Sequence, residues 1–294
     1  MKNFHVACTG IILFLISTGT FAQNFYLDLY GGYGAPLSSQ TVKVLDGTFQ
    51  TQEKTVKGDF GKGMNFGAGF GLKMTNLIGL EIGVSYFNSA TIKAHDEYYE
   101  DYSAGYDHVD EFEFSSSIFR ITPALRFSTN HEHLNAYTRI GCVIGVNGYY
   151  EEKLRAEKHN NGPMSYTELF EITQEYKGRM SAGFSGSVGL IYNLCHNFSI
   201  FIEGNGIAHS WAPKKGEITE FKQDGIDRMS WLSVSEREVE FVNEITESEY
   251  PDQDKPRQSL KMYVPLSAIF LNVGIQFRFG CTSNKKDTPA PEKN

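Results

Sequence analysis

The sequence predicts an all-β protein: an eight-stranded antiparallel up-and-down transmembrane β-barrel with short periplasmic turns and long extracellular loops. Eight stretches alternate apolar and polar residues with the period of a strand. The gaps between these stretches are alternately short and long. After the N-terminal leader, no segment contains about 18 consecutive apolar residues, the length that a helical span needs. A closed barrel is the other structure that satisfies every backbone polar group in lipid.

The amino-acid composition also favours strands over a helical bundle. The chain of 294 residues contains 29 Gly, 22 Phe and 16 Tyr but only 9 Pro, and aromatic residues are enriched in strands. Its formal net charge of −8 argues against a nucleic-acid-binding surface, which is normally basic.

Residues 1–22 have the three parts of a secretory signal peptide. Lys2 supplies the positive charge, residues 10–16 (GIILFLI) form the apolar segment, and Thr20 and Ala22 occupy the small-residue positions of the cleavage site. The apolar segment is too short to span about 30 Å of hydrocarbon, which disfavours a retained anchor. We therefore expect three regions: a cleaved signal peptide at 1–22, a barrel domain at 23–280 and a disordered polar tail at 281–294.

Each alternating stretch predicts one strand. The stretches cover residues 24–33, 63–74, 80–86, 119–127, 137–147, 179–192, 198–211 and 268–279. Three gaps are short, at 75–77, 128–135 and 193–197, whereas the other four run to about 25 residues or more. Because consecutive strands of an up-and-down barrel are antiparallel, all short gaps fall at one end and all long gaps at the other. This asymmetry is typical of outer-membrane barrels, whose long loops are external.

The residues on the polar face of the strands indicate which face points inward. A soluble lipocalin-like barrel, the alternative, has its apolar face inside around a ligand. The polar face here carries mostly small residues, which fit the narrow interior of eight strands better than a solvated surface. These residues are Gly67, Gly69, Gly71, Gly83, Ser85, Gly141, Gly145, Ser181, Gly183, Ser185, Ser187, Gly189 and Gly274.

A few long charged side chains share this inward face. Since an unpaired buried charge costs several kcal/mol, we expect them to form one lumenal network, with the two glutamates among the arginines. The network either plugs the interior or lines a narrow ion path. Its predicted members are Glu81, Arg120, Arg126, Arg139, Arg179, Glu203 and Arg278.

Aromatic residues near the strand ends predict two interfacial girdles around an aliphatic middle. The group at the turn end contains Phe25, Tyr26, Phe127, Tyr192, Phe198, Phe277 and Phe279. The group at the loop end contains Tyr86, Phe87, Phe114, Tyr149, Tyr150 and Trp211.

The signal peptide, the eight strands, the loop asymmetry and a last strand ending in Phe277-Arg278-Phe279 together resemble the small OmpA/OmpX-type outer-membrane barrel family. The resemblance covers residues 23–280. It implies that Phe277 and Phe279 belong to a C-terminal insertion signal that the barrel assembly machinery reads. The polar segment GCTSNKKDTPAPEKN follows, which is too short to fold, so we expect no peptidoglycan-binding domain.

Two long gaps and three cysteines are further candidates for function. Residues 93–113 are acidic. This acidity is compatible either with an ordinary solvated loop or with a site that binds a divalent cation. In the gap at 212–264, apolar and polar residues alternate around Phe241. This segment either projects as an edge for a partner or is an ordinary mobile loop.

Cys195 and Cys281 both fall at the periplasmic end. The two alternatives there are a disulfide between them or two free thiols. Cys142 falls on the lipid-facing side.

His209 and Ser210 are the one pair of residues considered as a candidate catalytic pair. A lipid A-modifying barrel enzyme would need a nucleophile and base in hydrogen-bond reach, but adjacent strand residues point to opposite faces. No CxxC pair, H-E-x-x-H helix or phosphate-binding glycine loop occurs. The sequence therefore predicts neither catalytic residues, nor a metal site, nor a cofactor.

The expected function is structural or interactive: a membrane-stabilising or surface-adhesive barrel in the outer membrane of a Gram-negative cell. A narrow porin-like channel is the second hypothesis, followed by a lipid A-modifying enzyme and a soluble lipocalin-like binder. We expect as partners outer-membrane lipid and lipopolysaccharide, the barrel assembly machinery and an extracellular partner at the long loops.

Overall fold

The computed structural model describes residues 25–45, 54–101, 106–160, 165–195, 197–245 and 252–279. The predicted signal peptide and the predicted polar tail lie outside these residues. The described secondary structure is almost wholly strand, which confirms the predicted all-β class. Among these residues, no helix has the length and apolar character that a membrane crossing would need.

The strands are numbered in chain order. The first nine are β1 (Phe25–Pro36), β2 (Gln40–Leu45), β3 (Lys54–Gly58), β4 (Gly63–Lys73), β5 (Ile78–Ser89), β6 (Ile92–Asp101), β7 (Tyr106–Ser128), β8 (Leu134–Asn160) and β9 (Tyr166–Lys177). The others are β10 (Ser181–Asn193), β11 (Phe198–Trp211), β12 (Lys215–Gln223), β13 (Ile226–Asp227), β14 (Glu238–Val242), β15 (Arg257–Leu260), β16 (Val264–Pro265) and β17 (Ala268–Phe279). A 3₁₀ turn at Met229–Trp231 and a short helix α1 at Val234–Arg237 lie between β13 and β14.

Eight strands pair into a closed ring in the order β1-β4-β5-β7-β8-β10-β11-β17, each antiparallel to its neighbours. Strand β17 closes the ring by pairing with β1, from Phe25 opposite Phe279 to Pro36 opposite Ala268. These eight strands coincide with the eight alternating stretches of the sequence. The β2–β3 hairpin forms a separate two-stranded sheet.

The three short connections lie at the end of the ring that also holds Phe25 and Phe279, which we call the turn end. The side chains of the turns explain their tight geometry. Thr75 Oγ1 accepts hydrogen bonds from the backbone N–H groups of Leu77 and Ile78, at 3.2 and 3.0 Å. Asn135 Oδ1 likewise accepts from the N–H of His131. The four long connections lie at the opposite end, the loop end.

The long connections were predicted as loops, with a projecting edge left open for residues 212–264. The loop prediction was wrong for much of their length, and the alternation around Phe241 does form a strand, β14. Residues 93–101 and 106–113 lie in the paired strands β6 and β7, and residues 212–264 contain β12 to β15, α1 and the first residue of β16. Strands β7 and β8 stay paired beyond the ring, as far as Tyr106 opposite Asn160. A search for apolar alternation missed these strands because many of their residues are charged and solvated.

Together these strands build a sheet that continues beyond the loop end of the ring. This extension contains residues 106–117 of β7 and 149–160 of β8, flanked by β6 on one side and by β9, β12, β14 and β15 on the other. At about 3.3 Å per residue, the upper part of β7 adds roughly 35 Å to the ring.

Side chains of the ring alternate between an exposed apolar face and a buried polar face, in the predicted phase. On β5, Glu81 and Ser85 are buried inside the ring, whereas Ile82 and Val84 are 58% and 48% exposed on its outside. Five aromatics that we predicted for the girdles instead occupy the inward phase of their strands and are buried. They are Tyr26, Phe87, Phe114, Tyr150 and Trp211.

Interior glycines make room for interior tyrosines on the neighbouring strand. Gly71 lies directly opposite Tyr26, and Gly189 directly opposite Tyr137. A Cβ atom on Gly71 would stand 1.9 Å from Cζ of Tyr26, and one on Gly189 would stand 2.5 Å from the ring of Tyr137. The outward-facing Gly186 has no neighbouring atom within 4 Å of such a Cβ. The two interior positions therefore require glycine for packing.

We expect the substitution Gly71→Ala to lower the free energy of unfolding by about 1–3 kcal/mol, because the buried Tyr26 ring has no room to move aside. Gly186→Ala is the matched control and should leave this free energy nearly unchanged. Urea unfolding of the two detergent-folded variants measures both effects, and equal losses would contradict the packing explanation.

Candidate functional site

Five ionised side chains meet in the middle of the ring interior. The Nη1 atom of Arg126 lies 3.0 Å from Asp28 Oδ2 and 3.4 Å from Glu81 Oε2. Arg139 bonds Glu81 through one guanidinium nitrogen and Glu203 through another. All five are buried or nearly so. We call them the charge network; its arginines link carboxylates from β1, β5 and β11.

Neutral side chains complete the charge network. Arg126 lies between two tyrosine rings, with its Cζ atom 4.7 Å from the centroid of Tyr26 and 4.1 Å from that of Tyr137. Each carboxylate also accepts a hydrogen bond from a neutral donor. These bonds are Tyr26 hydroxyl to Glu81 (3.0 Å), Tyr137 hydroxyl to Glu203 (2.8 Å), Asn272 Nδ2 to Glu203 (3.1 Å) and Gln276 Nε2 to Asp28 (2.7 Å).

The structure brings together four of the seven predicted network residues and separates the other three. Arg120 is buried nearer the loop end and donates to the carbonyl of Leu266 at 3.1 Å. Arg179 donates to the carbonyl of Phe241 at 2.8 Å. Arg278 lies at the turn end, where it bonds the side chains of Asn193 and Ser199. Arg120 and Arg278 share the inward face but differ in height from the network, whereas Arg179 lies before the first residue of β10 and so on no strand of the ring.

Sequence reasoning missed Asp28 although its signal was present. Asp28 alternates with Leu27 and Leu29 on β1, so it occupies the inward phase of that strand. The tyrosines that donate to the network were missed for a different reason. Tyr26 was taken for a girdle residue, and Tyr137 is a large residue on a face that otherwise carries small ones.

The other predicted site residues lie near the turn end. Cys195 is exposed in the last short turn, and its predicted partner Cys281 lies outside the described residues, so the disulfide stays a prediction. Phe279 is exposed on the outer face, and Phe277 packs against Phe198 with ring centroids 5.2 Å apart. Within the described residues, no group of three His, Cys, Asp or Glu side chains is arranged to hold a metal ion.

His209 has a partner that the sequence did not indicate. Its Nε2 atom forms a 2.8 Å hydrogen bond with Ser181 Oγ, which lies on the adjacent strand β10. His209 is buried, whereas the adjacent Ser210 points to the exposed outer face. Within the described part of the chain, the Nδ1 atom has no partner, so no carboxylate orients the imidazole there. The pair lies inside the ring beneath Trp211, packed against Gly145.

The loop end of the interior is filled by apolar side chains. Phe60, from the segment between β3 and β4, is 1% exposed and packs edge-on against Tyr150 with centroids 5.5 Å apart. Phe87 and Phe270 pack in the same way at 5.5 Å. Trp211 is fully buried, and its indole N–H donates to two backbone carbonyls. We call this apolar cluster the plug.

The extension has one apolar and one charged face. The apolar face continues the plug through the buried side chains of Phe112, Tyr176 and Phe241. The charged face carries ion pairs across and along strands, such as Lys93 with Glu113 at 2.5 Å. This contact raises the pKa of Lys93. Strands β6 and β15 form the two edges of the sheet.

Comparisons with known proteins give only a distant likeness. No family model and no curated protein matches the chain. Two solved structures similar to it are both of Ail, the attachment invasion locus protein of Yersinia pestis, one of them in complex with the heparin analogue sucrose octasulfate. The complex is 10% identical and the other structure 11%; each covers 87% of this chain and 98% of Ail, with a TM-score of 0.33. At this TM-score the likeness supports no inference about function.

We expect Arg139→Met to lower the free energy of unfolding by about 3–5 kcal/mol, because it leaves the buried carboxylates of Glu81 and Glu203 without their shared cation. Urea unfolding of detergent-folded protein, followed by tryptophan fluorescence, measures the loss. The control is Arg155→Gln in the extension. Arg155 pairs with Glu157 at 2.9 Å but is half exposed, so its loss should cost under about 1 kcal/mol. Similar losses in the two variants would show that burial does not strengthen the network.

Proposed function

We propose that the closed ring is a transmembrane β-barrel of a bacterial outer membrane, and that the protein acts without catalysis, through surface interactions of its extension. The observation that supports this proposal most directly is the polarity of the ring, which is the reverse of that of a soluble barrel. Its interior holds the charge network, and its exterior is a continuous apolar surface. In water such an exterior would favour aggregation. Its exposed members include Phe66, Ile82, Ile140, Phe184, Val188, Leu271 and Val273.

The height of the apolar exterior matches a bilayer. On the outer face of β4, apolar side chains alternate without interruption from Met64 to Met74. This distance is about 33 Å along the strand, and a strand tilt of about 40° reduces it to about 25 Å along the barrel axis. The apolar band of outer-membrane barrels has the same height, about 25 Å.

The asymmetry of the two ends supports an orientation. Outer-membrane barrels keep their short turns in the periplasm and their long connections outside the cell. By this rule the turn end, with Phe277 and Phe279 available to the assembly machinery, faces the periplasm. The extension then projects beyond the outer leaflet, past the lipid and lipopolysaccharide that surround the barrel, by up to roughly 35 Å measured along its strands.

The extension supports a role in binding an extracellular partner. Its edge strands β6 and β15 carry backbone N–H and C=O groups on the side away from their neighbours. Such an edge accepts an additional strand from another protein. The charged face carries ion pairs such as Lys93–Glu113 between β6 and β7 and Arg155–Glu157 within β8. It keeps the sheet soluble and offers both signs of charge to a partner.

The other hypotheses have less support. A soluble lipocalin-like binder would carry its apolar face inside, opposite to the phase of Ile82 and Val84. A narrow channel would need a polar path along the whole interior, whereas the plug occupies the loop end. A lipid A-modifying enzyme would need its His and Ser on the lipid-facing surface, and His209 bonds Ser181 inside the ring.

The first test is the location and gel mobility of the protein. We expect it in the outer-membrane fraction, migrating differently in detergent gels with and without boiling, because a closed barrel resists detergent at room temperature. Gly186→Ala should show the same shift as the wild type. A protein found in the soluble periplasm without a heat-dependent shift would contradict the proposal.

The second test is the orientation of the extension. In a chain with Cys142, Cys195 and Cys281 replaced by Ala, we expect a membrane-impermeant maleimide to label Ser165→Cys in intact cells, because Ser165 is exposed at the far end of the extension. Asn130→Cys, equally exposed in a short turn, is the matched control and should be labelled only after lysis. The reverse pattern would place the extension in the periplasm.

A further inference from the structure

The apolar exterior of the ring contains a groove on the side formed by β7, β8, β10 and β11. Its volume is about 800 Å³, and its lining is almost wholly apolar. Its lining includes the side chains of Leu77, Val188, Leu190 and Ile202, which are 46–66% exposed. Because these side chains point away from the ring interior, the groove opens to the surroundings of the ring and not to the charge network.

Small residues form the floor of this groove. Thr138 lies opposite Phe127 on one side and Val188 on the other, and Gly204 lies opposite Val188 on the next strand. The Thr138 hydroxyl donates to the carbonyl of Ser187 at 2.8 Å, which satisfies its one polar group within the protein. A Cβ atom on Gly204 would have no atom of the described residues within 4 Å. Open space therefore lies above the floor.

The groove crosses the strands obliquely, from the turn end to the middle of the ring. Phe127 is the last residue but one of β7, whereas Gly204 is the seventh of the 14 residues of β11. Between them lie three strand spacings of about 4.8 Å, or about 14 Å in all. The hydrocarbon of one leaflet is about 15 Å deep, half of a bilayer core of about 30 Å. The groove thus has the length of one fatty acyl chain lying in one leaflet.

Polar groups border the groove only at its turn end. Ser128 and Thr129 line it there, and the exposed His131 and His133 follow in the same short turn. The opposite end, at Gly204, lies within the apolar band of the exterior. An amphiphile with its chain in the groove would therefore place its polar headgroup at the turn end.

The shape of the groove favours a lipid over a second copy of this chain. The exterior of a barrel is convex, so a neighbouring barrel would reach a groove that crosses the strands only with single side chains. A flexible acyl chain can follow the groove along its whole length. Filling it also restores the dispersion contacts that an empty groove would lack.

We propose that this groove, the lipid groove, binds one acyl chain of a diacyl phospholipid as a resident lipid of the periplasmic leaflet. The inference rests on the proposed function, which puts the exterior of the ring in lipid and the turn end at the periplasm. It goes further in assigning one lipid to one place on that exterior. Lipid elsewhere around the ring then exchanges freely, whereas the lipid in the groove is retained.

The first test is native mass spectrometry of the full mature chain, folded in a lipid-free non-ionic detergent and titrated with palmitoyl-oleoyl phosphatidylethanolamine. We expect a one-to-one complex. Gly204→Phe fills the open space and should bind this lipid about ten-fold more weakly, because less of the acyl chain is buried. The matched control is Ala68→Phe, on the outer face of β4 across the ring, which should bind like the wild type. No complex, or equal binding by both variants, would overturn the proposal.

The second test is the effect of the same lipid on stability. We expect the urea midpoint of the wild type and of Ala68→Phe to rise with lipid concentration and saturate, as linkage requires for a bound ligand. Gly204→Phe should keep the heat-dependent gel shift of a folded barrel but lose this rise. If Gly204→Phe does not fold, Ala136→Phe, elsewhere in the groove, takes its place. An equal rise in all proteins would overturn the proposal.

The oligomeric state and the location of the protein separate the remaining outcomes. A wild type that is dimeric in lipid-free detergent, with Gly204→Phe monomeric, would make a second copy the occupant and overturn the proposal. Both lipid measurements use detergent-folded protein and do not depend on where the cell places it. Absence from the outer membrane would therefore contradict the proposed function, whereas absence of lipid binding would contradict the lipid groove alone.

Discussion

The narrow interior of an eight-stranded ring constrains every residue that faces it. Interior-facing positions of such a ring have room for few large side chains. Tyr26 and Tyr137 fit because glycines stand opposite them on the next strand. The tyrosines in turn hold Arg126 and donate to the carboxylates, so glycine placement and the charge network depend on each other. Substituting one member of this set changes the surroundings of the others.

The interior changes character along the axis of the ring. Its middle holds ionised groups that satisfy one another, whereas its loop end holds the plug of Phe60, Trp211 and their neighbours. Ion pairs fix the direction of each side chain through hydrogen-bond geometry, while apolar packing fixes mainly volume. The orientation of interior side chains is therefore most strictly determined in the middle of the ring. At the loop end, the same apolar packing continues into the extension, which ties the extension to the ring.

Much of the ring could be predicted from the sequence, because strand alternation is a local pattern. The phase of β5, with Glu81 inside and Ile82 outside, followed from adjacent residues alone. The site was harder, because the partner of each charge depends on register between strands distant in sequence. Arg120 and Arg126 share one strand and one face, yet only Arg126 reaches a carboxylate. Of the extension, the alternation around Phe241 indicated one strand, β14. Its solvated strands, such as β6, were missed because they show charge where a half-buried strand shows apolar alternation.

The pairing of β1 with β17 has a consequence for how the ring assembles. Gln276 donates to Asp28, which precedes it by 248 residues, so the contact that closes the ring is among the most distant along the chain. Such contacts form slowly, because their loop-closure entropy is lost before any contact compensates for it. Until β17 arrives, β1 and β11 expose unpaired edges, and Asp28 lacks one of its donors. The late intermediate, in which every strand of the ring but the last is paired, is thus the species most exposed to mispairing.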